Sequence, residues 1–131
     1  MGSNGERERA AQPEDLGRFF IDRVNAGDVD GVVALYESDA VLMSPPGQVT
    51  TGSPAIRQVY EWLLAGKPTL TATLRPTVQS GDLALTLVQW SMRMTGRDGQ
   101  PLTLSGTSAE VVHRQPDGTW LWVIDQPDIL G

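Results

Sequence analysis

A chain of 131 residues, 40% hydrophobic and 20% charged, has the size and make-up of one soluble globular domain, long enough to bury roughly two thirds of its unfolded surface. Its net charge of −6, with Lys67 the only lysine and the arginines scattered, argues against a nucleic-acid partner, because phosphate backbones are held by clustered cations. The absence of cysteine and the single histidine, His113, exclude disulfides, thiolate catalysis and histidine- or cysteine-rich metal sites, so no metal or cofactor is expected. No apolar run has the character of a signal peptide or a membrane span, which points to a cytoplasmic protein without a membrane partner.

Residues 1–12 are small, polar and charged and read as a flexible tail, leaving 13–131 as one domain. From Pro13, "PEDLGRFFIDRVNAGD" sets Leu16, Phe19, Phe20 and Val24 on helical spacing, with Glu14 and Asp15 in the first turn and Gly27 free to take the left-handed closing conformation. Asp28 then caps a second predicted helix, "VDGVVALYESD", in which Val29, Val32, Val33 and Tyr36 share a face. "AVLM" reads as a short strand, because Pro45 and Pro46 forbid helix across Ser44. Ser53 as N-cap and Pro54 at the first helical position open a third helix, with Ile56, Val59, Tyr60, Leu63 and Leu64 on its apolar face and Gly66 and Pro68 at its end.

Everything downstream reads as strand. "TLTATLRPTV", "DLALTLVQWSMRMTG", "PLTLSGTSAEVVHR" and "TWLWVIDQP" are separated by turns such as "RDGQ" and "QPDG". Three helices followed by hairpin-connected strands imply α+β, with helices covering one face of a twisted antiparallel sheet. Gly106, in mid-strand, would ease the bending that so long a strand needs in a small domain.

Three strings, "NAGDVDGVVALYESDAVLMSPPG", "TTGSPAIRQVYEWLL" and "SAEVVHRQPDGTWLWVIDQP", resemble the nuclear transport factor 2-like superfamily, which includes ketosteroid isomerases and SnoaL-like cyclases. The resemblance spans nearly all of 13–131. It implies a cone in which three N-terminal helices rest on the concave face of a strongly curved antiparallel or mixed sheet, around an apolar pocket, with the convex face forming a homodimer. It implies as well that Ser44 and Phe20 stand where the isomerases carry a carboxylate base and a tyrosine, and that Glu110 stands at the place of their oxyanion-stabilising acid. Serine is a poor base and phenylalanine donates no hydrogen bond, so the isomerase chemistry does not carry over unchanged. The superfamily's epoxide hydrolases use an Asp–Arg–Asp arrangement that finds no counterpart here.

Alternation puts Glu110 on one strand face with Gly106 and Ser108; a 114–119 loop would set Ser108 opposite Asp125 and Glu110 opposite Val123, gathering both acids on one face. Two acids in an apolar pocket raise each other's pKa, as acid–base work requires; the alternative is that they are solvated or paired with Arg93, Arg97 or Arg114. His113 is expected at a hairpin edge, exposed or paired. The candidate ligand-binding set is Phe20, Tyr36, Met43, Ser44, Tyr60, Leu63, Trp90, Met92 and Ser108; Trp90, Met92 and Met94 serve equally well as core or interface, and Trp120 and Trp122 read as core or interface. The leading expectation is a pocket for a hydrophobic, polyketide- or steroid-like compound, isomerised or cyclised by Glu110 and Asp125. The other is a non-catalytic association module.

Overall fold

The computed structural model describes residues 7–44 and 47–129. Helix α1 (Asp15–Asn25) buries Leu16, Phe19 and Val24, and Gly27 beyond it takes φ +70° as expected. Asp28 caps α2 (Val29–Val33) by accepting from Gly31 N at 3.0 Å. The predicted second helix stops there; Ala34 and Leu35 form a turn, and the rest of it belongs to β1 (Tyr36–Ser44). Tyr36, Ala40 and Leu42 are buried on this strand, so period-two burial against a neighbouring strand overrides the helical spacing of Val32, Val33 and Tyr36.

Strand β2 (Gln48–Thr51) returns antiparallel to β1, and Gly52, at φ +90°, opens α3 (Ser53–Ala65), which buries Ile56, Tyr60 and Leu64. Gly52 is therefore the N-cap in place of Ser53, and Pro54 lies in the first turn, where no N–H is missed. The predicted strand "TLTATLRPTV" divides at Arg75–Pro76 into β3 (Thr69–Leu74) and β4 (Val78–Ser80). Both pair with β5 (Leu83–Thr95), which pairs along its length with β6 (Pro101–Arg114); β7 (Trp120–Gln126) closes the chain.

The seven strands form one sheet in the order β2-β1-β7-β6-β5-β3, with β4 also on β5; β1 and β7 are parallel and the other pairs antiparallel. Helix α1 packs on β3 and β7, and α3 on β1 and β2. The result is the expected α+β cone with a mixed sheet. Leu16, Val24, Val32, Ile56 and Val112 are fully buried between the layers, each contributing about 1.5–3 kcal/mol by leaving water. The Asn25 side chain ties α1 to the sheet, donating to Leu70 O at 3.0 Å and accepting from Leu70 N at 2.6 Å.

Residues 7–12, in the stretch the sequence reads as a tail, lie against this body. Trp120 N donates to Ala10 O at 2.9 Å, Arg23 Nη2 donates to Glu8 O at 2.6 Å, and Arg7 pairs with Asp28 at 2.7 Å. Among the described residues no helix is long and apolar enough to cross a membrane.

Candidate functional site

The inward face of the sheet is set by alternation. Along β5 it carries Ala84, Thr86, Val88, Trp90, Met92 and Met94, and along β6 Gly106, Ser108, Glu110 and Val112. The β6–β7 hairpin starts from Arg114 opposite Trp120, so its loop is one residue shorter than the expected 114–119, which by itself would split the acids, but the register then slips between Val111 and Val112. Val123 is the extra residue of this bulge. Glu110 consequently stands opposite Asp125, where the register uninterrupted from Arg114–Trp120 would have set it opposite Ile124. The two acids are brought together more directly than the sequence suggested.

Both are deeply buried, Glu110 at 4% and Asp125 at 6% exposure, and neither takes the arginine partner held open as the alternative: Arg114 pairs instead with Asp82. Burial, followed by the Glu110 charge, pushes Asp125 up to about 7, against a smaller downward pull from the Tyr36 hydroxyl. Burial also raises Glu110, opposed by the hydroxyls of Ser108 and Thr86; Thr86 Oγ1 donates to Glu110 Oε1 at 2.6 Å.

Tyr36 enters this cluster from strand β1 rather than from a helix. Its hydroxyl donates to Asp125 Oδ2 at 2.5 Å and lies 2.6 Å from the Tyr60 hydroxyl. Each phenol has one proton, so with Asp125 ionised the donors run from Tyr60 to Tyr36 to Asp125. Burial and the nearby Asp125 charge hold both phenols well above their ordinary pKa. They act as neutral hydrogen-bonding groups.

Rings close over the polar cluster. Phe20 meets Trp122 edge-on at 5.2 Å and Tyr60 at 5.9 Å, and Trp122 meets Tyr36 at 5.0 Å. The Trp122 side chain is buried, and its Nε1 has no hydrogen-bond partner among the described residues. A buried N–H left unpaired costs about 1–3 kcal/mol. The Trp90 ring lies further along β5, donating from Nε1 to Pro127 O at 2.8 Å. A Cβ on Gly106 would stand 3.1 Å from Trp90 Cζ2, so the glycine makes room for that ring. Past Trp90 the same face runs through buried Met92 and half-buried Met94 to Leu102 and Leu104, which are 42% and 41% exposed.

Of the expected site residues, the fold gathers Phe20, Tyr36, Tyr60, Ser108, Glu110 and Asp125 into one cluster; Leu63, Trp90 and Met92 join the surrounding core. Met43 is not among them, because Leu42 is the β1 residue paired with Asp125 and Met43 alternates to the opposite face. Ser44 ends β1 opposite Gln48, and its side chain lies outside the described residues. His113 is held at the edge by Glu37, at 2.8 Å. Thr86 was missed: counting back from the "RDGQ" turn sets Leu87 opposite Glu110, and the observed register, with Thr95 opposite Pro101, brings Thr86 there instead.

Two grooves are described, and neither is lined by the acids. One, about 950 Å³, lies between residues 7–10, Arg23 and the β6–β7 turn; the other, about 380 Å³, surrounds Gly96–Leu102. Beside the acids, rings occupy the interior where an open hollow was expected. We place the candidate site there because the buried acids and the phenol chain converge there.

Residues 17–122 match the SnoaL-like domain family. The chain belongs to that family. The matched stretch contains Glu110 and Trp122, and Asp125 falls just beyond it. Solved structures share the fold of this SnoaL-like domain at low identity. A ketosteroid isomerase-like protein from Erwinia carotovora atroseptica is 20% identical with a TM-score of 0.77, over 86% of this chain and 89% of that one. A candidate dehydratase of the NTF2-like family from Streptomyces avermitilis is 16% identical with a TM-score of 0.74, over 92% and 95%. A candidate calcium/calmodulin-dependent protein kinase II association domain from Xanthomonas campestris is 20% identical with a TM-score of 0.71, over 98% and 100%.

Proposed function

We propose that this SnoaL-like domain binds a hydrophobic, polyketide- or steroid-like small molecule on the inner face of its sheet and moves a proton on it with Glu110 and Asp125. The observation that carries this reading is the buried acid pair, joined through Asp125 to the Tyr36–Tyr60 hydroxyl chain. With Asp125 near 7, the pair takes up or releases a proton around neutrality, which is what a general acid–base group needs. The work assigned to a β1 base in the isomerases passes here to the pair. Phe20, which is half-buried and held by ring contacts, is the ring a ligand displaces, and the apolar track from Trp90 to Leu102 and Leu104 is its approach. Thermal-shift measurements with a panel of steroid- and polyketide-like compounds test this: at least one is expected to raise the melting temperature, with Phe20→Ala altering the affinity. A panel without effect on the wild-type protein overturns the reading.

A second reading concerns assembly. Val78, Leu85, Val111, Ile124 and Val41 form one row of cross-strand partners on the outer face of the sheet, and Val78, Leu85 and Ile124 are exposed. An apolar row across five strands is the kind of surface that a self-complementary dimer buries, and one structural relative is named as an association domain. We assign this convex face to a homodimer. Sedimentation analysis at micromolar concentration is expected to give a dimer that Leu85→Arg converts to monomer. A monomeric wild-type protein refutes the assignment.

A further inference from the structure

We infer that the indole N–H of Trp122 is the anchoring donor for an acceptor oxygen on the ligand, so that the site selects a neutral, largely apolar molecule carrying a carbonyl or ether oxygen over its bare hydrocarbon counterpart. The inference rests on the proposed small-molecule reading and adds the polar contact which that reading leaves open.

Trp122 sits at the centre of the cluster by position: its backbone pairs with Tyr36 on one side and Val112 on the other, and its ring touches Tyr36 and Phe20. The other polar side chains there are engaged. Tyr60 and Tyr36 bond each other, Tyr36 bonds Asp125, Thr86 bonds Glu110, and Trp90 bonds Pro127. Nε1 of Trp122 is the buried side-chain polar atom without a partner among the described residues. Buried N–H groups are nearly always paired, and one that is not calls for a specific explanation.

The chemistry of the group narrows the ligand. An indole N–H donates and never accepts, so it recognises an oxygen lone pair and gains nothing from an ammonium or a hydrocarbon. Glu110 and Asp125 on the same face disfavour an anionic head, because a third negative charge would enter a site that already disfavours two. A neutral oxygen acceptor on an apolar skeleton satisfies both conditions. The ring displaced for entry is Phe20, the edge-on neighbour of Trp122, so its departure opens space beside the indole.

The test uses α-tetralone and tetralin, which have the same bicyclic skeleton with and without a carbonyl. Calorimetric titration of the wild-type protein is expected to give about tenfold tighter binding of the ketone, the usual size of one net hydrogen bond, and Trp122→Phe is expected to remove that preference while leaving tetralin affinity unchanged. Should Trp122→Phe fail to fold, the wild-type protein still reports: the Trp122 indole N–H resonance, assigned through its contacts to Tyr36 and Phe20, is expected to move downfield with the ketone and not with tetralin. Equal affinities, with that resonance unmoved by the ketone, overturn the inference and leave the pocket reading standing. Binding of neither probe overturns the inference, and the pocket reading falls with it only where the steroid- and polyketide-like panel is also without effect.

Discussion

Asp125→Asn is expected to stabilise the protein most in mildly alkaline buffer, by less in mildly acidic buffer, and to change its stability little only below the ordinary carboxylate value of 3.8. The carboxyl is held at about 7, against an ordinary 3.8, chiefly by burial and then by the neighbouring Glu110 charge. In that interval the folded state binds a proton that the unfolded chain has released, so stability is full below the ordinary value and falls as pH rises through about 7. At about 1.4 kcal/mol per pKa unit, the displacement amounts to an upper limit on the order of 4 kcal/mol once the group is ionised. Asparagine keeps the shape, accepts the Tyr36 hydroxyl through its carbonyl oxygen and carries no charge, so most of that penalty disappears. Asp28, lowered mainly by the Arg7 hydrogen bond, and Glu37, lowered by Gln115 and His113 against the larger opposing effect of its burial, act in the opposite sense. Their contributions are lost only as pH falls through the acidic carboxylate range, so they leave the comparison near neutrality untouched. Urea unfolding in the mildly alkaline and mildly acidic buffers decides the matter; a variant less stable than wild type in each would mean that the charge of Asp125 holds the fold together.

How far the sequence announces Asp125 and its neighbours differs from residue to residue. Leu16, Phe19 and Val24 in α1, and Ile56, Tyr60 and Leu64 in α3, are buried as their helical spacing implies. The β5–β6 hairpin follows from one turn, but the pairing of Thr86 and Glu110 does not, because the observed register lies one residue from the count across "RDGQ". The Glu110–Asp125 pairing does not follow from counting, because a one-residue bulge at Val123 leaves no mark in an alternating apolar string. Tyr36 illustrates a different difficulty. Its spacing from Val32 and Val33 satisfies a helix, while its spacing from Ala40 and Leu42 satisfies a strand, and pairing with β7 decides between them. Trp122 alternates like any core residue; its unpaired N–H exists only in three dimensions.

Glu110→Gln separates a working acid from a structural one. Glutamine keeps an oxygen to accept from Thr86, whose hydroxyl lies 2.6 Å from Glu110 Oε1, so the hairpin and the helices above it are expected to remain intact. Its amide cannot exchange a proton at neutral pH, and under the proposed reading turnover of the natural ligand falls at least about 100-fold, as when a general acid–base group is lost. The pH profile of the remaining activity carries a second, independent sign. The Glu110 charge is one of the causes raising Asp125, so its removal is expected to move the Asp125 limb toward acid, whereas a purely structural disturbance would lower the rate without shifting the limb. Binding supplies the third readout: with Trp122, Tyr36 and Tyr60 untouched, affinity for an oxygen-bearing ligand is expected to hold while turnover is lost. Unchanged turnover in Glu110→Gln, with the fold confirmed, would remove Glu110 from the proton-transfer role and leave Asp125, with its phenol chain, as the single acid to be tested.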